Sequence, residues 1–390
     1  MRGRRAWAAL AIIVALGVVA PACTRHTESG FATGATGFAQ TTPASSPAPS
    51  ASTSPKPAPR PRPAMIDVLD LSFLDRDHGF ALVAIRGGES PGLAVRRTRD
   101  GGRTWSADRA VWDPGVVHHV RFTTTTLGWA FGPGLFVTRD GGRSWKRQHP
   151  GETVVSVAVS GPSVWALLAD CTQSRCHRVS LRISTDAGAA WHGARLPSGL
   201  SGPDLQMERR GSTGWILSSG DTTSKQSRLV VTHDGGSSWS ALDNPCLARV
   251  DQAGTTIGPF VFEEHLSAVD PSTLWLMCLV EPAGGSTFGR LFVSSDGGGR
   301  WLPGWIGASG YDLDVAAVSL TSGWIVDNAA AQALYLLRTT GRSGRQRIRF
   351  GNPPMVGLQF VDPDHGWAAA GGTVYRTTDG RTWHTVHLRP

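Results

Sequence analysis

Thr138-Arg139-Asp140-Gly141-Gly142-Arg143-Ser144-Trp145 is an octapeptide that returns along the chain with little change. Thr98-Arg99-Asp100-Gly101-Gly102-Arg103-Thr104-Trp105 precedes it, and further copies run Ser184 to Trp191, Thr232 to Trp239 and Ser294 to Trp301, with Asp186, Asp234 and Asp296 in the third place. A sixth copy, Thr377 to Trp383 around Asp379, is one residue shorter. The composition of the repeat states its geometry. An Asp two residues after a Ser or Thr accepts hydrogen bonds across a tight turn, and the glycines permit positive φ. The closing tryptophan is a large apolar plug suited to the space between two sheets. Asp100, Asp140, Asp186, Asp234, Asp296 and Asp379, with Trp105, Trp145, Trp191, Trp239, Trp301 and Trp383, are therefore expected to be scaffolding, the carboxylates buried in their turns. None is assigned catalysis.

A second motif precedes each octapeptide: Gly79-Phe80, Gly128-Trp129, Val164-Trp165, Gly214-Trp215, Leu274-Trp275, Gly323-Trp324 and Gly366-Trp367. These pairs number seven against six octapeptides, and Leu336 to Ser343 reads as the missing copy without its Asp and Trp. Seven units over residues 65–390 give about 47 residues each, the length of a four-stranded propeller blade. In the last unit, strand signals fall at Met355 to Phe360, Gly366 to Ala370, Thr373 to Thr378 and Trp383 to Leu388. The fold class expected is all-β, a seven-bladed β-propeller with four-stranded antiparallel blades. Of the 15 tryptophans, twelve sit in the two motifs, a regularity that points to core rather than to a stacking surface for sugars or bases.

Composition agrees. With 48 Gly and 25 Pro in 390 residues and 40% hydrophobic side chains, the chain is rich in turns and able to bury a core, which argues against a helical bundle and against wholesale disorder. The formal net charge of +8 is concentrated at one end. Residues 1–64 hold seven Lys or Arg against Glu28 alone, a net of +6, leaving +2 for the rest. Nucleic-acid binding needs clustered positive charge on the folded part, so no nucleic-acid partner is expected.

Arg2, Arg4 and Arg5 precede an apolar run from Ala6 to Ala20, too short to span a bilayer and suited to a signal peptide over 1–22. Cys23 follows Ala20-Pro21-Ala22 in a position that resembles a bacterial lipobox, where the cysteine is lipidated, although the lipobox leucine is replaced by Ala20. The expectation is an exported chain, held on the outer surface of the cell membrane as a lipoprotein or else secreted. From Cys23 to Ala64 the Ser, Thr, Ala and Pro composition cannot bury enough surface to order itself and reads as an extended linker. In such a compartment the remaining Cys171, Cys176, Cys246 and Cys278 are expected to form disulfides. Pairing 171–176 and 246–278 is local and compatible with the blades. No zinc spacing is matched, and neither metal nor cofactor is expected.

Counting back six residues from each Gly-Trp pair aligns Phe73, Phe122 and Phe360 on the first strands. The other face of those strands then carries Asp70, His119, Arg121, His265, Asp314 and Gln359, whereas units three and four show Val155, Val157, Leu205 and Met207. Asp70, His119, Arg121, His265 and Asp314 are the candidates for a binding site at the channel mouth, with Glu208, Arg209, Glu263 and Glu264 near them in sequence. Solvated side chains around a water-filled channel are the alternative.

The octapeptide resembles the Asp box, or BNR repeat, of sialidases, family 74 endoglucanases, sortilin-type receptors and the photosystem II stability/assembly factor-like proteins. The resemblance covers Met65 to Pro390. No Arg-Ile-Pro signature of the sialidases occurs, and Tyr311, Tyr335 and Tyr375 have no recognisable partner for a nucleophile pair. One seven-bladed unit is most similar to the assembly-factor type, which implies a non-enzymatic scaffold, here expected to be a monomer with an envelope protein as partner. A carbohydrate-binding protein or glycoside hydrolase of sialidase-like architecture is the rival, with a glycan as its ligand. A hydrolase would need two carboxyl groups about 5 Å apart, or roughly 6.5–9.5 Å apart, facing one cavity.

Overall fold

The computed structural model describes residues 64–389 apart from 88–90, 107–111, 114, 173–174, 203, 220–226, 248–259, 282–286, 309–312, 329–331, 339–344 and 351–353. The signal peptide over 1–22, Cys23, the linker up to residue 63, Tyr311 and the turn of the degenerate sixth-unit repeat lie outside the described residues.

Seven antiparallel sheets follow one another in sequence, each ordered from first strand to last, and their first strands stand side by side in a closed ring. These inner strands are Met65–Phe73, His119–Phe122, Val154–Ser160, Leu205–Arg210, Phe260–Ala268, Leu313–Ala317 and Met355–Phe360. The chain is thus a seven-bladed β-propeller. Six blades have four strands; among the described residues the first has three, Met65–Phe73, Gly79–Arg86 and Gly92–Thr98, plus a single bridge from Leu93 to Trp112. In the last blade the strands span Met355–Phe360, Gly366–Ala370, Thr373–Thr377 and Trp383–His387, within a residue of the sequence expectation.

Each Gly-Trp pair opens a second strand, and its two residues have separate tasks. The tryptophans are the interblade plugs: Trp129, Trp165, Trp215, Trp275, Trp324 and Trp367 are all among the largest fully buried side chains. The glycine makes room for an aromatic ring. A Cβ at Gly79, Gly128 or Gly366 would stand 2.4, 2.3 or 2.3 Å from the ring of Phe73, Phe122 or Phe360, its partner across the sheet. Those phenylalanines in turn stack on the preceding blade, Phe73 on Trp367, Phe122 on Phe80 and Phe360 on Trp324. In blade four, Arg209 pairs with Gly214 as Phe122 pairs with Gly128, and its guanidinium lies 4.3 Å from the Trp165 ring, so a cation–π contact replaces the aromatic stack.

The Asp boxes form the turns between third and fourth strands and make the expected bonds. Thr138 Oγ1 donates to Asp140 Oδ1 at 2.8 Å, Ser144 N donates to the same oxygen at 2.9 Å, and Gly142 N donates to Thr138 Oγ1 at 2.8 Å. Asp100, Asp186, Asp234, Asp296 and Asp379 repeat the hydroxyl and backbone contacts. Two details correct the sequence reading. These carboxylates are exposed or half-exposed, because the turns stand at the rim of the ring rather than in the core. Five of the six box tryptophans are only half-buried, Trp301 being the buried one, so the box indole packs at the seam's edge while the Gly-Trp indole fills its middle.

Disulfides join Cys171 to Cys176 and Cys246 to Cys278. The first links facing residues of the second and third strands of blade three; the second joins a short 3-10 turn after blade four, Pro245–Leu247, to the second strand of blade five.

Candidate functional site

The inner strands carry a repeated device that sequence reading did not reveal. A polar side chain of one blade accepts a hydrogen bond from the backbone N–H of the next blade's inner strand. Asp70 Oδ2 takes Val120 N at 3.0 Å, and Ser72 Oγ takes Phe122 N at 2.9 Å. Gln206 Oε1 takes Leu266 N at 3.0 Å, Glu263 Oε1 takes Leu313 N at 3.1 Å, and Ser267 Oγ takes Ala317 N at 2.9 Å. Gln359 makes the same link from the last blade to the first: its Oε1 accepts from Phe73 N at 2.8 Å and its Nε2 donates to Phe73 O at 2.9 Å. An innermost strand has no sheet partner on its channel side, so these side chains satisfy main-chain groups that would otherwise depend on water.

Pairing across each sheet identifies equivalent positions. The residues opposite Phe80 and the six Gly-Trp tryptophans are Ser72, Arg121, Ala158, Glu208, Ser267, Ala316 and Gln359. Counting six residues back fails in blades three and four, because Ser160–Ser163 and Arg210–Thr213 are closed by two-residue turns. That shortening moves the register by one and exchanges the faces of the strand. Val157, Leu205 and Met207 therefore sit in the interblade core, with Val155 packed against it, and the channel-side residues there are Ser156, Ala158, Gln206 and Glu208.

The charged members of this ring meet across the channel. Arg121, in blade two, is stabilised in its charged form by Glu208 of blade four and Asp314 of blade six as well as by its neighbour Asp70. Blades two, four and six are not adjacent, so these side chains feel one another through the channel itself. Arg121 Nη1 donates to Asp70 Oδ2 at 2.6 Å, and His119 Nδ1 lies 3.4 Å from the same oxygen. Burial opposes ionisation of Asp70, but Arg121, His119 and the Val120 N–H outweigh it and hold the carboxyl at about 2. Its other oxygen accepts from Leu71 N at 2.9 Å, so Asp70 is fully engaged.

On the opposite side, His265 Nε2 and Glu263 Oε1 are 2.6 Å apart. Burial disfavours the imidazolium, yet Glu263 and Asp314 together shift the ring toward its charged form. Asp314 is the least compensated carboxylate. Burial pushes it up to about 6, only partly countered by His265, and its one hydrogen bond is from Val315 N at 2.8 Å. Burial also raises Glu208, against the pull of Arg210, whose Nη1 lies 3.2 Å from its Oε2. Glu264 is turned out of the channel into the sheet, where Asn244 Nδ2 donates to its Oε1 at 2.7 Å.

The structure thus brings Asp70, His119 and Arg121 into one cluster and places His265 beside Glu263 with Asp314 near both. Glu208 joins them, a residue that sequence placed only in the neighbourhood; the two-residue turn at Gly211-Ser212 is the signal that would have found it. Among the described residues no group of His, Cys, Asp and Glu is arranged to hold a metal ion.

No family model matches the chain, and no curated protein matches it. Solved structures do. YCF48 bound to D1 peptide is 19% identical, with 81% of this chain and 97% of that chain covered and a TM-score of 0.54. YCF48 from Cyanidioschyzon merolae is 15% identical, with 82% and 97% covered and a TM-score of 0.54. A GH74 enzyme of Niastella koreensis is 11% identical, with 83% of this chain and 72% of that chain covered and a TM-score of 0.34. At these identities the likeness is one of fold: the chain is a seven-bladed β-propeller that shares its architecture with YCF48.

Proposed function

We propose that this chain is a non-enzymatic scaffold, exported and lipid-anchored through Cys23, that binds a protein at the cell envelope with the channel face of its propeller. The observation that carries the reading is the cluster of Asp70, His119 and Arg121 on the inner strands of the first two blades, where Arg121 Nη1 donates to Asp70 Oδ2 at 2.6 Å and His119 Nδ1 lies 3.4 Å from the same oxygen. Asp70 and Glu263 are committed to backbone N–H groups of the neighbouring blade. Both carboxylates therefore serve the ring, and His119 and Arg121 stay partly exposed beside Asp70, a polar rim suited to docking a polar surface. The similar fold of YCF48, bound to D1 peptide in one structure, supports a protein ligand by analogy of architecture. The two disulfides fit an oxidising compartment outside the cytosol. Among the described residues no helix is long and apolar enough to cross a membrane.

The test is a crosslinking capture from native cell envelopes with the full chain as bait, read by mass spectrometry. One protein recovered near stoichiometry, and lost when Arg121 and Asp314 are replaced by Ala, supports the scaffold. Recovery of cell-wall glycan alone overturns it in favour of carbohydrate recognition. For the anchor, Cys23→Ala should release the chain from membranes; a variant that is still lipidated removes that site.

A further inference from the structure

The channel is electrically lopsided. The inner strands of blades three and seven, Val154–Ser160 and Met355–Phe360, contain no ionisable residue, so they separate two charged arcs. Blades one and two form the first arc, in which Arg121 and His119 meet Asp70. Blades four to six form the second. Glu208, Ser267 and Ala316 lie opposite their Gly-Trp tryptophans, and Glu263, His265 and Asp314 precede them by two or four residues, on the same channel side of each strand. With Asp204 at the start of blade four, this arc sets four carboxylates against Arg210 and His265.

Three of the four are engaged. Asp204 Oδ2 accepts from Gln206 Nε2 at 2.7 Å, Glu208 Oε2 has Arg210 Nη1 at 3.2 Å, and Glu263 Oε1 has His265 Nε2 at 2.6 Å. Asp314 is the exception. Val315 N bonds to its Oδ1, and among the described residues Oδ2 accepts no hydrogen bond and the carboxylate has no ion-pair partner. The charged groups that act on it are His265, in the neighbouring blade, and Asp70 and Arg121 across the channel. His265 is already held by Glu263 and Arg121 by Asp70, and the strand on the other flank, Met355–Phe360, offers no cation. Burial accordingly pushes Asp314 up to about 6 and raises Glu208 as well, as expected of carboxylates short of counter-charge.

We propose that this arc is the socket for one basic side chain of the partner protein, a lysine ammonium or an arginine guanidinium, which enters the channel and pairs with Asp314 Oδ2. The incoming cation supplies the counter-charge that Asp314 lacks, and the surplus of carboxylates over cations in blades four to six draws it in and turns acidic groups away. The socket rests on the channel face being the docking surface.

Isotope labelling of the aspartate carboxyl carbons in the full chain, read by NMR, tests the proposal. The probe is Nα-acetyl-lysine methylamide, with Nα-acetyl-norleucine methylamide at matched ionic strength as the neutral control, and the Asp314 resonance is the one missing from D314N. Saturating lysine derivative should lower the Asp314 titration midpoint by about one pH unit or more, because a nearby opposite charge favours the carboxylate. The norleucine derivative should leave it in place. Affinity for the lysine derivative, followed at the Val315 amide, should fall about tenfold between about pH 7 and about pH 5 as Asp314 takes up its proton. In D314N it should fall by about as much at neutral pH. An unmoved midpoint, an equal response to the norleucine derivative, or undiminished binding by D314N overturns the proposal. Capture from native envelopes separates the socket from the channel-face reading: loss of the partner in D314N supports the socket. Retention in D314N with loss in Arg121→Ala overturns the socket and leaves the channel face as the docking surface, and retention in both overturns both.

Discussion

Trp367 lies face to face with Phe73, ring centroids 3.7 Å apart and planes 7° from parallel, across the seam between the last blade and the first. Trp367 Nε1 reaches past it to Gly101 O at 2.9 Å, and Gln359 grips both main-chain groups of Phe73. Val68 N also donates to Gly371 O, and Arg96 Nη1 to Arg389 O. Among the described residues the ring is therefore closed by side chains and a few loop hydrogen bonds, with no strand exchanged between its first and last sheets. Trp367→Ala should cost about 3–5 kcal/mol, as a fully buried aromatic truncation. Trp367→Phe, which keeps the stack but leaves Gly101 O unmatched, should cost about 1–3 kcal/mol. Trp145→Ala, at a half-buried position, should cost less than Trp367→Ala. Midpoints of urea unfolding for the three variants give the order, and an equal loss for Trp145 and Trp367 would contradict the distinction drawn between box and Gly-Trp tryptophans.

Gly128 is required by the ring of Phe122. Gly128→Ala places a methyl 2.3 Å from Phe122 Cδ1 and should destabilise by about 1–3 kcal/mol. In the Phe122→Ala background the same change should cost much less, because the clash is gone. A double-mutant cycle by chemical unfolding measures the coupling; strict additivity would mean the glycine serves some other purpose.

The two disulfides close loops of unequal length, with sequence separations of 32 for Cys246–Cys278 and 5 for Cys171–Cys176. On a chain-entropy basis, Cys246→Ser with Cys278→Ser should cost about 4 kcal/mol and the other pair about 2 kcal/mol. Thermal melts under non-reducing conditions compare them. A larger loss from the short loop would point to strain or packing as the dominant effect.

Asp314 and Asp70 impose opposite pH dependences. Burial raises Asp314 from 3.8 to about 6, so the folded state holds a proton that the unfolded chain releases earlier. Its contribution is full at acid pH below 3.8 and is lost as pH climbs through 6. Asp70, for which burial is outweighed by Arg121, is lowered to about 2, and its contribution is lost as pH falls from 3.8 through that value. Asp314→Asn should therefore be more stable than the parent above roughly pH 6, by about 1–2 kcal/mol allowing for screening in a wet channel, and equal to it below roughly pH 4. Asp314→Asn melting no higher than the parent at neutral pH would remove the unpaired charge from the account.

Sequence carried most of the architecture because the blade is written in residues that do one thing each. The Asp box needs its hydroxyl, carboxylate and glycines at fixed spacing to close a turn, and the Gly-Trp pair needs a gap and a plug on adjacent residues. Positions on the inner strands were harder to read. Their register depends on the length of the turn before the second strand, and the two-residue turns at Gly161-Pro162 and Gly211-Ser212 shifted it in blades three and four. Glu208 was hidden by that shift, and Met207 was set in the channel when it belongs to the core. The lacing of Asp70 to Val120 and of Glu263 to Leu313 has no local signature, since each bond joins residues 50 apart. Asp box carboxylates were expected to be buried because they are well bonded, yet turns at a rim can satisfy a carboxylate while leaving it wet.

Each sheet is drawn from one uninterrupted stretch of chain, and the first and last stretches meet at a seam sewn by Gln359, Trp367 and Gly371. The order of blades in the ring is thus cyclic, whereas the order in the polypeptide merely records where the circle is cut. A permuted chain, joined by a short linker between residues 389 and 65 and opened at any connection between sheets, would retain every hydrogen-bonded ladder of the original. By the same token, duplication or loss of one unit of sequence adds or removes a whole blade without severing a sheet. For this protein the module that the genetic message can copy and the module that the fold can lose are the same segment.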